Sequence, residues 1–113
     1  MQFATINQSG TLVISVRERR IDAASAIRFK DAMREATQAA QGRVVLDMSG
    51  VDFVDSSGLG AIVASMKQLG DGRKLDLSGL TPDVDRVFRL TRMDSVFGIY
   101  PSVDAALGLR ASG

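Results

Sequence analysis

The chain contains no cysteine and no histidine. Without cysteine there is no disulfide, no thiol nucleophile and no thiolate metal site. Without histidine, a Ser-His-Asp triad, a histidine general base and a histidine-ligated zinc are excluded within the chain. The lack of cysteine also fits a reducing compartment. Net charge is only +1, so no global field selects nucleic acid or a membrane surface as a direct partner. No apolar run approaches the roughly 18 residues needed to span a bilayer. The first residues, Met-Gln-Phe-Ala-Thr-Ile-Asn-Gln, lack the basic start and apolar stretch of a signal peptide. These absences predict a cytoplasmic protein. At 113 residues, 45% hydrophobic and 24% charged, the chain has material for one compact domain spanning residues 1–113.

The strongest local signals are hydrophobic. Residues 3–6 and the alternating Leu12, Ile14 and Val16 flank Ser9-Gly10, a turn signal, and predict an N-terminal hairpin. Residues 17–20, Arg-Glu-Arg-Arg, end that strand, and Asp22 is placed to cap a helix. Ala26, Phe29, Met33, Ala36 and Ala40 recur at helical spacing, and Gly42 stops them. Val44-Val45-Leu46 reads as a strand buried on both faces. Leu59, Ile62, Val63 and Met66 give a helix that ends near Gly70 and Gly72, and residues 74–77 give a strand. Thr81-Pro82 reads as a cap followed by proline at the first helical position, with Val84, Val87 and Phe88 inward. Residues 97–100 form a last strand. Pro101-Ser102 opens a final helix with Val103, Ala106 and Leu107 inward, and the tail 108–113 is expected to fray. The order β-β-α-β-α-β-α-β-α predicts an α/β fold: a mixed, largely parallel sheet of about five strands with about four helices.

The chemistry concentrates at residues 55–60, Asp-Ser-Ser-Gly-Leu-Gly, where the buried strand passes through a polar loop into a helix. Free backbone N–H groups gather at such a junction, and a partner's active site can reach it. A phosphate added there changes the charge by about −2. Helix capping by Ser56 or Ser57 is the plainer reading of the same residues. Gly58 and Gly60 belong to no phosphate-cradling or dinucleotide motif, so no nucleotide cofactor is expected. Asp47, Asp52 and Asp55 match no calcium-loop spacing, and no metal is expected. A serine enzyme needs a base, and no Ser-x-x-Lys occurs near the loop. Arg17, Arg19 and Arg20 form the densest basic cluster, either a solvated loop or a contact for an acidic or phosphorylated surface. Ala61, Ala64, Ser65 and Gln68, with Lys67 the lone charge, form a smooth helix face that is either buried or a docking surface.

Residues 44–60, Val-Val-Leu-Asp-Met-Ser-Gly-Val-Asp-Phe-Val-Asp-Ser-Ser-Gly-Leu-Gly, resemble the STAS domains. Within them they resemble the bacterial anti-sigma factor antagonists. Weaker likeness runs through residues 77–88, 92–97 and 102–107. The resemblance implies a STAS fold and a binding switch in transcription regulation, not an enzyme. Ser56 matches the serine that a GHKL-type anti-sigma factor kinase phosphorylates, and a PP2C-type phosphatase resets it. Catalysis and Mg-ATP then belong to the partners. Asp22, Asp55, Ser56, Ser57, Gly58 and Leu59 match the partner-binding loop and helix start. Family members usually carry a glycine just before the acidic residue that Asp22 matches, and here Ile21 stands there. The resemblance also admits a second role, a STAS subunit in a lipid-transport or stress-sensing assembly. The serine pair favours the switch.

Overall fold

The computed structural model describes residues 1–70 and 72–109. Its main sheet has five strands in the order β1-β2-β4-β6-β7, and every pairing except β1–β2 is parallel. Strands β1 (Phe3–Gln8) and β2 (Thr11–Val16) form the expected hairpin. Ser9 and Gly10 close it with φ of 54° and 82°. Two positive φ values make a type I′ turn, whose twist matches that of the flanking strands.

A second, two-stranded parallel sheet was not expected from sequence. It pairs β3 (Arg20–Ile21) with β5 (Phe53–Val54). It converts two stretches read as loops into a small platform beside the main sheet.

Strand β4 (Val44–Asp47) runs between β2 and β6 (Leu75–Ser78), and its first three residues are fully buried. Val44 and Leu46 enter a large apolar cluster with Ile14, Val16, Leu75 and Leu77. The helices α1 (Ala26–Thr37), α2 (Ser56–Gln68) and α3 (Pro82–Leu90) contribute Phe29, Met33, Ile62, Val84 and Phe88 to that cluster. Val45 and Val13 point to the opposite face and meet Ala106 of the one-turn helix α4 (Val103–Ala106). The β-branched run is therefore buried on both faces, as read, but three helices cover one face and a single turn covers the other.

Arg43 secures that thin cover. Its Nε donates to Asp76 on β6 at 2.7 Å, its guanidinium lies over the Tyr100 ring of β7 (Ile99–Tyr100), and Nη1 donates to the Ala106 carbonyl. The final helix is capped by Ser102, whose hydroxyl accepts from the Ala105 N–H. Gly108 and Leu109 donate their N–H groups to the Ala105 and Asp104 carbonyls. Residues 110–113 of the expected frayed tail lie outside the described residues. Among the described residues no helix is long and apolar enough to cross a membrane.

Two caps differ from expectation. Asp22 does not cap α1; Ser25 occupies that position, three residues later. Thr81 does sit at the N-cap of α3, but its hydroxyl donates to the Val51 carbonyl and ties the helix to the loop before β5.

The hairpin turn yields a stability prediction. Serine is held in the left-handed region at residue 9, where asparagine is better tolerated. Ser9→Asn is expected to stabilise the protein by roughly 0.5–1 kcal/mol, and Ser9→Val to destabilise it by about as much. Urea unfolding of the three proteins reads this order.

Candidate functional site

The six singled-out residues come together at the carboxyl ends of the parallel strands, where loops in an open α/β sheet meet ligands and partners. Asp55 is the hinge of the arrangement. It is the N-cap of α2, with extended backbone, and its carbonyl accepts the first helical bond from the Leu59 N–H at 2.8 Å. Its Oδ1 accepts from the Gly58 N–H at 2.8 Å. Its Oδ2 accepts from the Ala23 N–H at 3.1 Å, across 32 residues of chain. One carboxylate thus caps the helix and holds the loop between β3 and α1 against it.

The expectation that a serine caps this helix is corrected. Helix α2 begins at Ser56, and Asp55 supplies the side-chain cap. Aspartate and serine are comparable caps, so a helix that can start at either is decided by tertiary contacts. Here the second oxygen of Asp55 finds Ala23, a partner out of a serine's reach once its single oxygen is committed to the helix. Ser56 and Ser57 are displaced into the first turn, and both are exposed.

Gly58 is buried and lies against β3. A Cβ at this position would overlap the Ile21 carbonyl oxygen and carbon. Leu59 is half-buried and packs against the large cluster, which anchors the turn that carries the serines. Along the same helix Ala61 and Ser65 are buried, Ala64 is half-buried, and Lys67 and Gln68 are exposed. The smooth face therefore divides: its 61/65 side is core, with the Ser65 hydroxyl donating to the Ala61 carbonyl, and its 64/68 side is surface.

Asp22 stands in a reciprocal turn with Ser25. The Asp22 N–H donates to the Ser25 hydroxyl at 3.0 Å, and that hydroxyl donates to Asp22 Oδ1 at 3.2 Å. Asp22 Oδ2 accepts from Arg20 Nε at 3.1 Å. The Arg20 hydrogen bond, followed by that of Ser25, holds the Asp22 carboxyl below its ordinary value. A depressed carboxylate stabilises the fold above its unfolded pKa, and the contribution is lost as pH falls through the folded one. Ile21, at the position where glycine is usual in the resembling family, is fully buried and extended in β3.

The arginine cluster is partly neutralised. Arg19 donates to Asp52 Oδ2 from Nε at 2.8 Å and Nη2 at 2.6 Å. Arg20, besides its bond to Asp22, lies 4.2 Å over the ring of Phe53, which is itself exposed. Arg17 is exposed. The carboxylates of Asp47 and Asp52 serve structure as well: Asp47 accepts from the Ser49 N–H and the Ser15 hydroxyl, both at 3.0 Å. Sequence reasoning missed Ala23, Ser25 and the Arg20–Phe53 stack. Only the Asp-x-x-Ser spacing of residues 22–25 signalled any of them in advance.

Two glycines on one helix separate contact from propensity. Gly58→Ala is expected to cost about 1–3 kcal/mol, because a methyl group must push β3 away. Gly60, exposed with open space at its Cβ position, is expected to gain about 0.5–1 kcal/mol as alanine. Thermal unfolding of the two variants should move in opposite directions.

Comparison with known proteins gives this geometry a context. The family model described as STAS domain matches residues 2–106. The anti-sigma-B factor antagonist of Listeria monocytogenes is 35% identical over 81 residues, covering 70% of each chain. A crystal structure of an anti-sigma factor antagonist from Mycobacterium paratuberculosis superimposes with a TM-score of 0.83 at 28% identity, over 95% of this chain and 91% of that one. An anti-sigma factor antagonist (STAS) domain protein from Planctomyces limnophilus shares the fold, with a TM-score of 0.83 at 24% identity over 93% of this chain and 94% of the other. With a five-stranded, mostly parallel sheet and a matching family model over nearly all of its length, this chain belongs to the STAS domain family.

Proposed function

We propose that this protein is an anti-sigma factor antagonist controlled by phosphorylation of Ser56. The observation that carries the reading is the exposed serine pair on the first turn of α2, relieved of capping by Asp55. The Listeria relative, an anti-sigma-B factor antagonist, supports the same role.

In this reading the unmodified surface around Asp22, Asp55, Ser56, Ser57, Gly58 and Leu59 docks on a GHKL-type anti-sigma factor kinase. Docking frees the sigma factor. The surface is pre-organised, since Asp55 and the Gly58–Ile21 contact fix the loop and the helix start before any partner arrives. The partner's ATP then phosphorylates Ser56: its Oγ attacks the γ-phosphorus, ADP leaves, and the serine proton passes to a base of the kinase. A dianion at a helix N-terminus is locally favourable, so modification leaves the fold intact. It acts at the interface, where repulsion and desolvation oppose the complex. A PP2C-type phosphatase hydrolyses the phosphoserine and restores the binding form. The chain itself performs no catalysis and acts in the cytoplasm.

Ser56→Ala is expected to bind a kinase-type anti-sigma factor constitutively and accept no phosphate. Its stability should change by no more than about 0.5 kcal/mol, since Ser56 is surface and not the cap. Intact-mass and phosphosite analysis after incubation with kinase and ATP checks the acceptor. Phosphate appearing on Ser57 at the wild-type rate in that variant would sink the assignment.

Ser56→Asp carries half the charge of phosphate and is expected to weaken the complex about tenfold or more, or roughly 1.4 kcal/mol. Calorimetric titration measures it. An affinity equal to wild type for a partner that binds wild type would remove the charge mechanism.

A further inference from the structure

The two edges of the main sheet are unlike. The β7 edge is two residues long and is followed at once by Pro101. Shortness and proline are standard protections against edge pairing. The β1 edge has neither. It is six residues long, pairs with β2 in unbroken register, and reads Phe-Ala-Thr-Ile-Asn-Gln, with no charge and no proline. Its last four residues are exposed, and Ile6 is 58% exposed.

The direction of its unpaired backbone groups follows from the hairpin. Gln8 and Thr11 flank the two-residue turn, and the Arg17 N–H donates to the Gln2 carbonyl. In an antiparallel ladder the bonded positions alternate, so even-numbered residues of β1 bond to β2. The N–H and C=O groups of Phe3, Thr5 and Asn7 therefore point away from the sheet.

We propose that this edge pairs with a second copy of the chain, β1 against β1, about a two-fold axis through Thr5. The arrangement is self-complementary. Phe3 pairs with the second copy's Asn7 and Thr5 with its own equivalent, each pair exchanging both backbone bonds. Cross-strand Thr–Thr pairs are favourable, and an uncharged strand meets no like charge in its twin. On the face shared with Val13, Ile6 of each copy packs against Ala4 of the other, which covers the exposed isoleucine. The two sheets join into one. The pairing uses none of the residues around Ser56 and stands independently of the proposed function. A one-strand interface lies at the small end of specific contacts, below about 1,200 Å². Association is accordingly expected between micromolar and millimolar concentration.

Sedimentation or light scattering across that range should show the 12.1 kDa chain rising to twice its mass. Ile6→Lys, which sets a charge near its twin, should stay monomeric with an unchanged melting temperature. Thr5→Pro removes an N–H that points outward and should also stay monomeric. The absence of native cysteine allows a positional test. In the paired arrangement the two residue-5 Cα atoms lie about 5.5 Å apart, within disulfide reach. Oxidised Thr5→Cys should form a covalent dimer readily at low concentration, and Leu90→Cys, at a 77% exposed control position, should not. A single-chain mass up to millimolar concentration would overturn the proposal. So would a dimer that Ile6→Lys and Thr5→Pro leave intact, or equal cross-linking at residues 5 and 90.

Discussion

The candidate site depends on one carboxylate with two amide partners. Asp55 spends one oxygen on the start of α2 and the other on Ala23, which lies beyond β3 on a different arm of the chain. Each bond alone is an ordinary charge-assisted contact of about 1.5–3 kcal/mol. Their shared origin is what matters, because one side chain adds a polar tie between two segments that the β3–β5 pairing and the buried Ile21 and Val54 already hold side by side. Gly58 adds the steric half of the same constraint, since only a residue without a side chain lets the first helical turn lie on the Ile21 carbonyl.

A serine presented this way is exposed yet rigidly placed. The turn that carries it is backed by Leu59, Ile62 and the large cluster, and flanked by the β3–β5 platform. If this surface binds as proposed, recognition requires little ordering of the chain, which lowers the entropic cost of binding. Under the proposed function, a phosphate on Ser56 changes charge without removing the supporting contacts, because neither oxygen of Asp55 and no core side chain belongs to Ser56.

The main sheet was legible because its signal is hydrophobic and repeated. The run 44–46, the alternation through Leu12, Ile14 and Val16, and the helical spacing from Ala26 to Met33 each survive tertiary context. The β3–β5 pair was not legible. Two residues per strand carry no period, and what holds Arg20-Ile21 to Phe53-Val54 is tertiary: the burial of Ile21 and Val54 in the large cluster and the flanking bonds of Asp52, Asp55 and Thr81 to residues distant in sequence. The start of α2 was misplaced for a related reason. Serine and aspartate compete evenly for a cap, and the deciding contact, with Ala23, is 32 residues away in sequence. The same blindness put the α1 cap at Asp22 in place of Ser25.

The uneven covering of the sheet has its own consequence. The α4 turn adds only Val103, Ala106 and Leu107 to a small cluster, and Arg43 fastens it from a single side chain. Nothing in the large cluster relies on it, since no residue of α4 belongs there. The back face is therefore closed by a cluster separate from the large one. Val13 and Val45 owe their burial there to α4, and the contacts that hold the serine-bearing turn do not involve it. Evolution can exchange that cover, for a longer helix or a neighbouring domain, without renegotiating the surface on the other side.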